Sequence, residues 1–323
     1  MSTLPFSAFK PIIYGAIYGL VLRGIFFGGT KGWVWGYEPM SIAFIFAAPI
    51  TIGALTVFYA EKQAKRTWLY YIFAPWLATL LFMIGSMVTL LEGSICVVII
   101  APVLFPLSSV GGIIMGLILQ NSSKPNNKLQ AIALLPFCVL VLESQIPLQN
   151  DIVQLSSSII IQAPRETVWY QLNNATDIKE DEVPTSFAYF IGAPKPESGK
   201  TIIENDQRIR KSAWQNGVYF DEKIVSWKEN EFISWTYEFF PDSFPPGSLD
   251  DHVVVGGKYF DLTTTSYRLE AVPQGTKLTL DIQYRVSTKF NWYTRPLAQY
   301  LIKDSLDSLL SFYQARSENT VTQ

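Results

Sequence analysis

The chain holds one histidine and two cysteines among its 323 residues, which narrows the chemistry before any element is drawn. His252 stands in "LDDHVVVGG" behind Asp250 and Asp251. A general base needs a positioned partner and a reachable proton. Adjacent residues on a strand point to opposite faces, so these aspartates orient the imidazole poorly. A loop or strand-edge histidine bonded to a carboxylate is the simpler expectation, with Asp261 the other candidate proton carrier. Cys96 and Cys138 both lie inside apolar runs. With a single histidine they supply neither a zinc ligand set nor a disulfide framework. Gly256-Gly257 stands too far from any helix start to cradle a phosphate and reads as a turn or bulge. No cofactor and no metal are implied.

Aromatic residues carry the richer signal. In "ISWTYEF" Trp235 and Tyr237 share a face. In "KYFDLTTTSYRLE", placing Arg268 in water turns Tyr259, Asp261, Thr263, Thr265 and Tyr267 inward with Leu269. Tyr284 joins them from the last strand. Such side chains offer apolar faces with a few hydroxyls, which suits a cavity for a hydrophobic molecule bearing one or two polar groups. They suit a filled core equally well. An inward Asp261 and its threonines favour the partly polar cavity, because unpaired burial is costly.

These residues all fall in one half of an uneven chain. Residues 1–149 carry 12 charged side chains and residues 150–323 carry 40. A bilayer core takes about 20 apolar residues per helix. Five stretches approach that length, at roughly 7–28, 40–60, 68–91, 94–119 and 129–147, so residues 1–149 are expected to form a membrane region of about five helices. Arg23 and Glu143 lie near span ends, where they are expected to snorkel toward the interface. With the N-terminus inside, cytoplasmic segments hold Lys10, Lys62, Lys65, Arg66, Lys124 and Lys128, against Lys31 outside. An odd number of spans then places residues 150–323 outside the cytoplasm, on the periplasmic side of a bacterial cell membrane. The soluble half is mildly acidic, with no positive footprint for nucleic acid. The expected partners are the bilayer and a hydrophobic small molecule or lipid, and no protein partner is indicated.

From residue 152 the hydrophobic period changes to alternation. "SSSIII" is a strand and "PRETVWYQLNN" a short helix. "DQRIRKSAW", "GVYFDEKIVSWK", "EFISWTYEFF", "KYFDLTTTSYRLEAV" and "TKLTLDIQYRVST" follow as strands, separated by Gln-Asn-Gly, Glu-Asn and Pro-Gln-Gly pieces. In the last strand Leu278, Leu280, Ile282, Tyr284 and Val286 alternate with Lys277, Thr279, Asp281, Gln283 and Arg285, so one face meets water. "RPLAQYLIKDSLDSLLSFYQARSE" supplies the cover, with Ile302, Leu306, Leu309 and Tyr313 on one helical stripe. "WYTRPLA" brings Trp292, Tyr293 and Arg295 to a cavity mouth or to lipid headgroups. The expected fold is an N-terminal α-helical membrane region plus a C-terminal α+β domain, a curved antiparallel sheet gripping a long C-terminal helix.

The run "IIIQAPRETVWYQLNN" resembles the opening of the START-like, or SRPBCC, superfamily: a hydrophobic strand, Ala-Pro, an acidic residue, Val-Trp and a leucine. The order of elements over about 152–318 resembles its helix-grip fold. The similarity is greatest to the polyketide cyclase/dehydrase-like branch, including proteins with "DDHVVVGGKYFDLTTTSYRLE" and "FNWYTRPLA" stretches beside membrane segments. The resemblance implies a fold whose members bind lipids, sterols, polyketides or hormones, some of them catalysing cyclisation. The expected function is a membrane-anchored binding protein that holds a lipid or other hydrophobic molecule between sheet and helix. Its ligand set is Trp235, Tyr237, Tyr259, Asp261, Thr263, Thr265, Tyr267, Tyr284, Leu306 and Leu309. A cyclase- or dehydratase-like enzyme using His252 or Asp261, and a protein-interaction or assembly module, are the alternatives.

Overall fold

The computed structural model describes residues 6–28, 40–61, 67–120, 131–250 and 253–321. His252, with Asp251, lies outside the described residues. The chain forms two compact units, Met1–Leu148 and Gln149–Gln323.

In the first unit, α1 (Phe6–Gly28), α2 (a π-helical turn Ala43–Ala47 continued by Ala48–Glu61), α3 (Trp68–Val88) and α4 (Ser94–Gln120) are the four described helices long and apolar enough to cross a membrane. The expected fifth span is shorter. The apolar helix there runs Ala131–Glu143, with its regular part α5 at Leu135–Glu143. Thirteen residues rise about 20 Å, short of a hydrocarbon core of about 30 Å. Central α2 packs on its neighbours through glycine: a Cβ at Gly53 would sit 1.8 Å from Ser108 O, and one at Gly111 1.9 Å from Ile50 O. Backbones this close give the van der Waals contact that joins helices in lipid.

The two charges near the ends of apolar stretches are buried within the first unit rather than turned outward. Arg23 is fully buried, and its Nε donates to Glu92 Oε1 at 2.5 Å. Buried Glu143 accepts from Ala43 N at 2.5 Å. A carboxylate there meets the positive end of the α2 dipole.

The second unit is an eight-stranded antiparallel sheet and a long C-terminal helix. Its elements are β1 (Gln149–Ile161), α6 (Arg165–Asn173), β2 (Asn174–Ala175), α7 (Phe187–Phe190), β3 (Pro196–Glu204), β4 (Gln207–Trp214), β5 (Val218–Lys228), β6 (Phe232–Glu238), β7 (Phe260–Val272), β8 (Gly275–Thr288) and α8 (Asn291–Val321). The strand order is β1-β8-β7-β6-β5-β4-β3-β2. Turn chemistry sets the hairpins, with positive φ at Asn205, Asp206, Asn216, Gly217, Asn230 and Gly275. At Gly275 a Cβ would lie 2.2 Å from Ile161 O, so the β7–β8 turn admits only glycine.

β1 begins earlier than alternation indicated, because it pairs with β8 along its whole length, from Gln149↔Thr288 to Ile161↔Thr276. Asn291 joins three elements at that end. It accepts from Thr288 N at 2.8 Å and donates to Gln149 O at 2.9 Å.

The core lies between the concave face and α8, and includes Val153, Leu278, Leu280, Ile282, Tyr284, Leu306, Leu310 and Tyr313. Leu310, not Leu309, completes the buried stripe of α8; Leu309 stays half-buried. At 100° per residue, positions 309 and 310 fall about 40° and about 60° to opposite sides of the stripe's centre. Periodicity alone therefore does not separate them, and packing does.

Candidate functional site

Three strands bring a charged row into the interior. Register pairs Arg210 on β4 with Glu222 on β5, and Glu222 with Tyr237 on β6. Side chains opposite one another in an antiparallel pair share a face. Arg210 Nη1 donates to Glu222 Oε2 at 2.6 Å and to Ser212 Oγ at 2.9 Å. Its Nη2 donates to the Tyr313 hydroxyl of α8 at 3.0 Å, and its Nε to Leu172 O at 3.3 Å. The guanidinium also lies 5.5 Å from the Trp235 ring centroid. Gly199 on β3 makes room for it, because a Cβ there would lie 2.0 Å from Arg210 Nη2. Tyr237 and Thr265 complete the row through a 2.6 Å hydroxyl–hydroxyl bond.

Burial dominates the electrostatics. It holds the Glu222 carboxyl above the ordinary carboxylate range, although Arg210 pulls the other way. For Arg210 burial opposes the charge, but Glu222 and the surrounding tyrosines leave the guanidinium more firmly protonated than usual. Tyr237, Tyr267 and Tyr313 are pushed up chiefly by burial, and Tyr284 to about 12 by the same cause. Near neutral pH these phenols are neutral donors and acceptors. Tyr284 Oη is buried without a hydrogen-bond partner.

The interior is fully buried at one end and partly exposed at the other. Around α6 and the C-terminal half of α8, Trp169, Trp235, Tyr267, Phe312 and Tyr313 are buried, and Tyr267 and Tyr313 meet edge to face at 5.9 Å. At the end where β6 leaves the sheet and β7 enters it, Trp214, Tyr237, Phe239, Phe244, Phe260 and Leu262 are only half-buried, as are Ala298 and Ile302 on α8. Tyr237 stacks on Phe239 at 5.9 Å, Phe239 meets Phe244 at 5.5 Å, and Phe260 meets Tyr284 at 5.8 Å. Gly256, at φ 77°, lets its loop close on Phe239, where a Cβ would sit 2.7 Å from the ring. This accessible aromatic end, with the charged row behind it, is the candidate site.

Of the ten residues expected to line a cavity, the sheet turns Trp235, Tyr237, Thr265, Tyr267 and Tyr284 inward, and Leu306 meets them from α8. Asp261 and Thr263 do not point inward, and Tyr259 precedes the strand. A bulge between Leu262 and Thr264 reverses the alternation of β7, so that Leu262 pairs with Tyr284 and Asp261 with Arg285. Phe260 and Leu262 thereby take the inward places. Asp261 sits on the outer face, where burial raises its pKa and Arg285 opposes the shift. Thr263 Oγ1 donates to Gln283 O at 2.9 Å, and half-buried Tyr259 lies 5.6 Å beneath Lys258 Nζ.

Arg210, Glu222, Ser212 and Tyr313 were missed as a cluster. The available signal was Phe220-x-Glu222-x-Ile224, a carboxylate in the inward register of β5 facing an arginine across a hairpin. The outer face carries a groove of about 240 Å³ whose lining mixes polar Gln154, Ser234, Thr264, Ser266, Asp281 and Gln283 with apolar Val225, Phe232 and Ile282.

No family model matches the chain, and no curated protein matches it. Among solved structures, a Staphylococcus aureus protein of unknown function is 11% identical, covering 54% of this chain and 99% of its own, with TM-score 0.33. A Thermus thermophilus protein is 18% identical, covering 53% and 99%, with TM-score 0.32. The di-domain ARO/CYC BexL of a biosynthetic pathway is 11% identical, covering 60% and 58%, with TM-score 0.32. The assignment of the helix-grip-like architecture rests on the sheet and helix themselves.

Proposed function

We propose that the second unit is a binding module of the START-like type, tethered to a membrane, that holds a lipid or another apolar molecule at the accessible end of its concave face. One observation carries this reading: inward aromatics stay half-buried at that end, and the Tyr284 hydroxyl remains unsatisfied in the interior. Buried polar groups ordinarily find partners, and an apolar pocket with a few polar atoms is the usual form of a small-molecule site. Asp261, paired with Arg285 on the outer face, lies away from that end of the concave face.

The dye Nile red tests the reading. The fragment 149–323 should bind it saturably at one site, and Leu262→Trp, which fills the accessible end, should weaken binding by at least about tenfold, a loss of about 1.4 kcal/mol. Absence of saturable binding to the parent fragment overturns it.

The module belongs, on this proposal, on the extracytoplasmic side. Arg23 near the end of α1, Glu92 after α3, Ala43 at the start of α2 and Glu143 at the end of α5 meet at one end of the first unit. Glu61 at the end of α2 and Gln120 at the end of α4 meet at Tyr71, away from that cluster. The basic residues Lys62, Lys65, Arg66, Lys124 and Lys128 follow them in sequence, which supports a cytoplasmic orientation for those ends and the opposite side for Glu143. A membrane-impermeant maleimide should label Lys277→Cys in intact cells, and labelling only after lysis overturns the placement.

A further inference from the structure

We propose that the corner of the second unit built from α7 and the first turns of α8 is a lipid-docking surface that rests on the headgroup region of a bilayer. Four aromatic side chains stand out of the protein there: Phe190 is 78% exposed, Trp292 69%, Tyr300 55% and Phe187 39%. Three of them adjoin one another. Phe187 stacks with Phe190 at 6.5 Å and meets Tyr300 at 6.1 Å, and the Ala188 N–H donates to Asp304 of α8 at 3.2 Å, which fastens α7 to that helix. Trp292 lies eight residues before Tyr300, about 12 Å along the helix axis. Exposing this much aromatic surface to water is unfavourable, and a contiguous exposed patch marks a contact surface.

The tether selects the occupant. The five residues 144–148 connect the last apolar helix to β1, and five residues span at most about 18 Å. The Trp292 end of the corner sits where that tether enters, because Asn291, next to Trp292, donates to Gln149 O, and Arg295 Nη1 lies 3.7 Å from Asp151 Oδ2. This rests on the proposed membrane tethering of the first unit: with its helices in a bilayer, a tether this short keeps Trp292 near the bilayer surface. The side-chain types match it. The indole of Trp292 and the phenol of Tyr300, accompanied by Arg295, are side chains that partition to the headgroup level, and Phe187 and Phe190 add apolar surface beside Tyr300. A second copy of the chain or a soluble protein has no comparable constraint bringing it to this corner. The inference needs no guest in the hollow and stands apart from the binding role.

Depth measurements on the full chain test it. In a Cys96→Ala, Cys138→Ala background, single spin labels are placed at Trp292→Cys, Phe190→Cys and Lys277→Cys, and the protein is inserted in nanodiscs of phosphatidylcholine and phosphatidylglycerol. Lys277 lies eleven pairs along β1 from the tether, about 35 Å away. Collision with oxygen relative to a water-soluble nickel chelate should be several-fold higher at 292 and 190 than at 277. Ratios equal to that of the Lys277 label overturn the proposal, and so does shielding from both reagents, which signifies a protein contact. Hydroxyl-radical footprinting of the unsubstituted chain in the same nanodiscs guards against misfolded variants. Trp292 and Tyr300 should be modified several-fold less than Tyr170, itself 61% exposed, and equal modification contradicts docking.

Discussion

Arg210 and Glu222 face each other across β4 and β5 in the interior of the second unit, joined at 2.6 Å. Burying both charges costs several kcal/mol in desolvation, so the pair is weak support for stability although breaking it is expensive. Arg210→Met or Glu222→Leu alone should destabilise the domain by about 3–5 kcal/mol, while the double variant should recover most of that loss. Denaturant unfolding of the three variants measures the difference. A double variant as unstable as the singles would show that the pair is needed for folding itself.

Gly199 leaves the space that the Arg210 guanidinium fills. Gly199→Ala should displace that group at a cost of about 1–3 kcal/mol, as overpacking does. The effect should shrink in the Arg210→Met background, since contacting residues couple. Equal losses in both backgrounds would place the clash elsewhere.

Burial holds Glu222 above the ordinary carboxylate value of 4.5. Folding then binds a proton at Glu222 that the unfolded chain has released. The stability linked to that proton is present in full below the unfolded value and is lost as pH rises through the folded one. The advantage of the parent domain over Glu222→Gln should therefore fall as pH is raised from 4.5, measured by unfolding at successive pH values. A flat difference would mean that Arg210 offsets burial completely.

Sequence patterning read the parts of this domain in which local periodicity and packing agree. The alternation from Leu278 to Val286 placed β8 correctly, and the Asn and Gly turn residues located the hairpins. It misread β7, because one extra residue near Thr263 exchanges inward and outward positions and moves Asp261 to the outer face. No composition signal marks such a bulge. The Arg210–Glu222 pair escaped for another reason: charged residues are ordinarily assigned to water, and only cross-strand register shows that these two neutralise each other indoors. Leu310 displaced Leu309 through packing that helical spacing does not encode. In the first unit, Arg23 and Glu143 looked like interface residues because the partners that bury them, Glu92 and the Ala43 N–H, are distant in the chain.

The central claim is that the concave face, filled around Tyr267 and Tyr313, accepts an apolar guest beside Tyr237, Phe260 and Leu262. Mass spectrometry of the molecules that co-purify with residues 149–323, expressed without the membrane unit, tests it most directly. The account predicts about one equivalent of an apolar molecule in the parent fragment, and its loss in Leu262→Trp. A folded parent fragment that carries no such molecule, or a Leu262→Trp fragment that carries as much, would contradict it.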